Sequence, residues 1–163
     1  MTEDENEIKV VELLHALLKE RGIRLAAAES CTGGFISHLV TMLPGASAVF
    51  SGSVICYNNE AKISLLGIDH STIDQYGAIS SETAIEMAEQ ARLLFDVDCA
   101  LSTTGNLGPD AQEDKQVGLV YIGVSYKGHT DSVAVVFEGD RMENRHQAAL
   151  EAIELLCSFI KSK

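Results

Sequence analysis

Leu25-Ala26-Ala27-Ala28-Glu29-Ser30-Cys31-Thr32-Gly33-Gly34-Phe35-Ile36 is the stretch whose reading decides the fold. Leu25 to Ala28 form a short apolar run, with side chains small enough for the crowded centre of a sheet. Phe35, Ile36, Leu39, Val40 and Leu43 then recur at helical spacing and stop at Pro44-Gly45. Between the two lies a loop of hydroxyls, a thiol and paired glycines. A strand thus feeds a helix through a polar turn, the repeating unit of an α/β domain.

The same alternation extends in both directions. Upstream, residues 1–6 are an acidic lead-in expected to fray; a helix follows from Glu7, with Val10, Leu14, Leu17 and Leu18 on one face and Gly22 at its end. Downstream, Val49 to Tyr57 reads as a strand, and Asn58-Asn59-Glu60 as a helix start. Ser71 to Tyr76 forms a short helical turn, and Ser80-Ser81-Glu82 caps a longer helix. Cys99 to Thr103 is a strand that ends in a second polar loop from Thr104 to Pro109. Val117–Ser125 and Ser132–Phe137 form an antiparallel pair through Lys127-Gly128, and Asp140 with Glu143 starts a last helix as a capping box. This order predicts a single-domain layered α/β/α sandwich over residues 7–163, with a mixed sheet of about five strands.

Composition narrows the function. The chain has 163 residues, enough for one domain, and 46% of them are hydrophobic, so a core is available without a membrane span. No apolar run reaches the roughly 18–20 residues a bilayer requires, and the acidic N-terminus is unlike a secretory signal, so a cytoplasmic location is expected. The four cysteines, Cys31, Cys56, Cys99 and Cys157, are scattered as reduced, mostly buried thiols would be. Neither they nor the five histidines show a metal-ligand spacing. A formal charge of -12 argues against nucleic acid; a small anionic ligand needs a local cationic pocket.

Ligands of open α/β sheets collect where strand ends meet helix starts, and two loops qualify: Glu29 to Gly34, and Thr104 to Gly108. The first sets Ser30, Cys31 and Thr32 beside backbone N–H groups at the positive end of a helix, where an anion or oxyanion is stabilised. The simpler alternative is that Ser30 or Thr32 only caps that helix. Neither loop is a Rossmann, P-loop or α/β-hydrolase signature. A serine nucleophile needs a base, and no histidine is suitably placed. Lys62, at a helix start after the second strand, is the candidate, because partial burial and the helix dipole both lower a lysine's pKa. The alternative is an ordinary solvated lysine.

Several segments together resemble the CinA C-terminal domain family, the PncC-like nicotinamide-nucleotide amidohydrolases, in a stand-alone form. They are Ala28-Glu29-Ser30-Cys31-Thr32-Gly33-Gly34, Leu43-Pro44-Gly45-Ala46-Ser47, Tyr57-Asn58-Asn59-Glu60-Ala61-Lys62, Tyr76-Gly77-Ala78-Ile79-Ser80, Thr104-Gly105, Val117-Gly118 and Gly139-Asp140-Arg141. The resemblance implies hydrolysis of the carboxamide of nicotinamide mononucleotide to nicotinic acid mononucleotide and ammonia, with no metal and no organic cofactor. It implies Ser30 as nucleophile and Lys62 as general base, with Tyr57 and Thr104 lining the site and orienting the pair. Cys31, Thr32, Gly33, Gly34 and Gly105 are then expected around the substrate. Arg141 and Arg145 lie one helical turn apart, and Arg145 is the expected phosphate contact; the alternative is a solvated arginine pair.

The chain departs from the family pattern after Thr104-Gly105, with Asn106-Leu107 and then Asp110-Ala111-Gln112-Glu113 where glycines are usual. Side chains approach a ligand less closely than glycine backbone does. That departure keeps open a nucleotide-binding or regulatory relative without catalysis. A partnered, purely structural subunit has no positive support. The expected partner is a small nucleotide substrate, with no nucleic acid and no membrane. Self-association into a homo-oligomer is expected from size and apolar edges.

Overall fold

Small side chains let Leu25–Glu29 (β1) occupy the middle of a sheet, where all five of its residues are fully buried. The computed structural model describes residues 2–163, apart from the side chains of residues 3 and 4; Met1, the first residue of the expected lead-in, lies outside the described residues. The helices are α1 (Glu3–Arg21), α2 (Phe35–Thr41), α3 (Asn59–Leu66), α4 (His70–Tyr76), α5 (Ser81–Leu94) and α6 (Arg141–Lys161). The remaining strands are β2 (Phe50–Ile55), β3 (Cys99–Gly105), β4 (Leu119–Tyr126) and β5 (His129–Val136).

The five strands pair in the order β2-β1-β3-β4-β5. β1 runs parallel to both β2 and β3, while β4 and β5 are antiparallel additions. This is the expected mixed sheet in a layered α/β domain. Alternate residues point to opposite faces. Leu25, Ala27, Cys99 and Leu101 face a core shared with α1, α2 and α6. Ala28 and Ala100 face a smaller core that includes Leu66 of α3 and Met87 and Ala91 of α5.

Local chemistry sets most of the boundaries. Asn58 caps α3 by accepting the Ala61 N–H at 2.8 Å, and Ser80 caps α5 by accepting that of Thr83. Asp140 and Glu143 form the expected capping box on α6. Lys127 and Gly128 turn the β4–β5 hairpin with positive φ at both positions, as tight two-residue hairpins require.

Several boundaries differ from expectation. α1 begins at Glu3 rather than Glu7, because Thr2 and Glu5 make a reciprocal capping box. β2 stops at Ile55, so Cys56 and Tyr57 lie beyond it. β3 continues to Gly105, where pairing with Tyr121 and Val120 holds Thr104 and Gly105 inside the sheet rather than in a loop.

The connectivity locates a crevice. The chain leaves β1 through α2 to reach β2 on one side. It then returns through α3, α4 and α5 to β3 on the other side of β1. The two crossovers pack on opposite faces, so the carboxyl ends of β1 and β3 flank a switch point, the usual ligand position in such sheets. Ser30 follows one of those ends, and Gly105 closes the other.

Candidate active site

Ser30 is held by the sheet itself. Its N–H donates to the Thr103 carbonyl at 3.0 Å, extending the β1–β3 pairing by one bond. The turn then closes through Gly33 N–H to the Ser30 carbonyl at 3.1 Å, with φ of 56° at Gly33 and 98° at Gly34. A side chain at either glycine would be strained in that left-handed region.

Neither Ser30 nor Thr32 caps α2. Its N-cap is Gly34, which offers no side chain. The fully buried Glu29 does this work instead. Its carboxylate accepts the N–H groups of Ile36 at 2.9 Å and Ser37 at 3.1 Å, together with the hydroxyls of Thr32 at 2.8 Å and Ser37 at 2.6 Å. A negative charge thereby meets the positive end of the helix. The Ser30 hydroxyl is left for other chemistry. An acidic residue closing an apolar strand just before a helix was the available signal for Glu29, and sequence reasoning assigned it no role.

Lys62 reaches the serine from α3. Its Nζ lies 2.9 Å from Ser30 Oγ and 3.2 Å from the Cys56 carbonyl oxygen, and the residue is only 2% exposed. The solvated-lysine alternative therefore fails. Burial pushes the Lys62 ammonium below the ordinary lysine value. Burial also pushes the neighbouring thiols up, Cys56 to about 11 and Cys31 to about 12. Both thiols are therefore neutral near pH 7 and give the ammonium no counter-charge. Desolvation outweighs the attraction of the Glu113 carboxylate and so favours the neutral form of this amine, the form that can accept a proton.

A cavity of about 310 Å³ opens over this pair, with Cys31, Tyr57, Gly105, Glu113 and Arg141 in its wall. Tyr57 is 58% exposed and its hydroxyl accepts from Arg141 Nη2 at 2.7 Å, so it borders the cavity without bonding to Ser30 or Lys62. Gly105 admits β4: a Cβ there would fall 2.7 Å from the Leu119 carbonyl oxygen. Thr104 is buried and donates to the Ala78 carbonyl at 2.7 Å, which fastens the cavity wall rather than facing the dyad. Thr32 is likewise fully buried, its hydroxyl between Glu29 and Thr103, 2.8 Å from each partner.

The two arginines do different things. Arg145 donates through Nε to the Thr32 carbonyl at 2.7 Å and through Nη2 to the Gly33 carbonyl at 3.4 Å, and lies over the Phe35 ring at 5.4 Å. It braces the serine turn and borders a neighbouring depression, with Gly33, rather than the cavity over Lys62. Arg141 lines both and holds the Gly108 carbonyl at 2.6 Å. Opposite in charge is Glu113, which reaches the same wall from the departing loop and was not singled out as a site residue. No helix among the described residues is long and apolar enough to cross a membrane.

Comparison with known proteins gives the family. The profile of the CinA C-terminal domain matches residues 7–160. The chain is 43% identical over 159 residues to a protein of Halothermothrix orenii named as competence-damage inducible, covering 96% of this chain and 38% of that protein. A similarly named protein of Caldicellulosiruptor saccharolyticus is 44% identical over 146 residues, covering 89% of this chain and 36% of its own length. The chain thus spans well under half the length of these relatives. Among solved structures, a CinA superfamily protein of Klebsiella pneumoniae superposes with a TM-score of 0.94 at 26% identity, covering 96% of this chain and 99% of that one. A competence/damage inducible protein of Agrobacterium tumefaciens gives 0.85 at 31% identity, with 91% and 94% covered. A strand-end serine, a buried lysine against it and these likenesses along the whole chain make this protein a member of the CinA C-terminal domain family.

Proposed function

We propose that the protein is an amidohydrolase that converts nicotinamide mononucleotide to nicotinic acid mononucleotide and ammonia through a Ser30–Lys62 dyad. The observation that carries this reading is the 2.9 Å approach of a buried, pKa-lowered lysine to a strand-end serine. Neutral Lys62 takes the Ser30 proton as Oγ attacks the carboxamide carbon. The Ser30 N–H is already bound to Thr103, so the amides of the following turn, starting with Cys31, are the donors proposed for the oxyanion. The Lys62 ammonium protonates the carboxamide nitrogen as the tetrahedral intermediate collapses, so the C–N bond breaks and the nitrogen leaves as ammonia. Lys62 then takes a proton from the water that attacks the ester, and hands it to Ser30 Oγ as the acyl–oxygen bond breaks and the acid is released. Arg141, at the cavity rim, is the proposed phosphate contact in place of Arg145. The four cysteines are free, which accords with a cytoplasmic setting for such a reaction.

The test is ammonia release from nicotinamide mononucleotide at neutral and mildly alkaline pH. Wild type is expected to release it and Ser30→Ala to stay folded and release none; a silent wild type refutes the activity. A binding-only relative is the reading favoured by the Glu113 side chain in the cavity wall, and calorimetric binding without turnover would establish it.

A further inference from the structure

The loop after β3 returns to the cavity as a strap. Glu113 Oε1 accepts the Ala78 N–H at 2.9 Å and Oε2 accepts the Ile79 N–H at 3.0 Å. Lys115, two residues on, donates to the Ile79 and Tyr76 carbonyls, so the strap is tied through both signs of charge. Asn106 adds an internal brace, donating to the Lys115 carbonyl at 3.2 Å. The Glu113 carboxylate is therefore a fixed negative charge on the wall of the cavity that holds Ser30 and Lys62. Arg141 supplies the cavity's exposed positive charge, while burial works against the charged form of Lys62 at its floor. The exposed wall thus carries one charged side chain of each sign.

On the reading of this cavity as a carboxamide site, we infer that Glu113 is a specificity residue selecting a cationic pyridine carboxamide over a neutral one. A substituent on the ring nitrogen makes the ring a permanent pyridinium cation, whereas the free base is uncharged. A carboxylate in the wall reads that substituent as charge, without needing a contact to the substituent itself. Two accepted N–H bonds hold the carboxylate in place, and each oxygen keeps a further lone pair for the cavity. A purely structural tie would hold the strap equally well for either ring.

The experiment compares binding of 1-methylnicotinamide and of nicotinamide by calorimetry, in a Ser30→Ala background so that neither is consumed. Neither probe carries a phosphate, so the result is independent of whether nicotinamide mononucleotide is turned over. The Glu113 side chain is partly exposed, so the expected preference for the cation is about two- to fivefold, falling as salt is added. Glu113→Gln should bring the ratio to about one, the value expected when no charge discriminates between the rings. Loosening of the strap alone would weaken both probes together and leave the ratio unchanged. A ratio unchanged in Glu113→Gln, no preference in the parent, or binding of neither probe overturns the inference. Absence of nucleotide turnover by wild type, with the preference intact, overturns only the proposed reaction.

Discussion

Replacing Glu29 by glutamine removes one charge from the core and nothing from its volume. Its two oxygens accept four hydrogen bonds, two from backbone N–H groups of α2 and two from hydroxyls. An amide has one acceptor oxygen and one donor nitrogen. Whichever way it is turned, its NH₂ faces the N–H of Ile36 or of Ser37. One buried backbone donor then loses its partner, at about 1–3 kcal/mol, and the helix loses a negative charge at its positive end, worth up to about 2 kcal/mol when partly buried. Relief from burying a charge offsets part of this, for a net loss of about 2–4 kcal/mol. At this chain length that lowers Tm by roughly 5–15 °C. Urea unfolding followed by far-UV circular dichroism, with m compared between variants, reads the loss directly. Ser37 also bonds Ser53 of β2 at 2.6 Å, so the disturbance spreads from α2 to the neighbouring strand. A Glu29→Gln protein within about 0.5 kcal/mol of wild type would show that this carboxylate is not what holds the turn.

Two other perturbations separate chemistry from support. Lys62→Met should lower kcat by about 10²–10⁴ while leaving the fold, as loss of a general base does. In wild type, kcat/KM should rise with pH and level off below 10.5, the ordinary lysine value, since burial lowers the pKa of this amine; a limb centred at the ordinary value refutes the role. The unfolded chain holds that proton more tightly than the folded one, so the Lys62 contribution to stability grows with pH from the lowered value to 10.5, while the buried thiols, whose pKa values are raised, contribute in the opposite sense above about pH 9. The thiols are common to both proteins, so the difference in denaturation midpoint between wild type and Lys62→Met should shift in favour of wild type as pH rises across that range; a pH-independent difference refutes the lowered lysine. For the arginines, Arg141→Ala should raise KM for nicotinamide mononucleotide about tenfold, as removal of a charged hydrogen bond does, with kcat near wild type and some loss of stability from the freed Gly108 carbonyl. Arg145→Ala should instead reduce kcat and stability, because it frees the Thr32 and Gly33 carbonyls. The reverse pattern in steady-state kinetics would return the phosphate to Arg145.

The elements were legible where their signals are local. Asn58, Ser80 and Asp140 cap helices from within three residues, and Lys127-Gly128 turns a hairpin by its own backbone preference. Strand ends were less so: Thr104 and Gly105 read as loop, yet pairing with β4 keeps them extended. Within the site, Ser30 and Lys62 were named, but their meeting depends on α3 folding back beside β1, across 32 residues. Glu29 escaped because the capping residues usually sought stand adjacent to the helix, whereas it reaches Ile36 and Ser37 from the strand. Glu113 meets Ala78 and Ile79 across 35 and 34 residues, a distance no pattern spans. Arg141 and Arg145 share a helix, and only the docking of α6 decides which one borders the cavity.

The bond from the Ser30 amide to the Thr103 carbonyl makes Ser30 the last rung of the central ladder. Its oxygen is consequently indexed to the middle of the core, while Gln112 and Glu113 reach the cavity from a peripheral segment anchored by side chains. Length and composition between Pro109 and Gln116 can therefore change without re-registering Ser30. Under the proposed amidohydrolase reaction the scaffold is a fixed reactor with an exchangeable faceplate, and grafting other sequences into that segment is the natural route to redirecting it toward different amides.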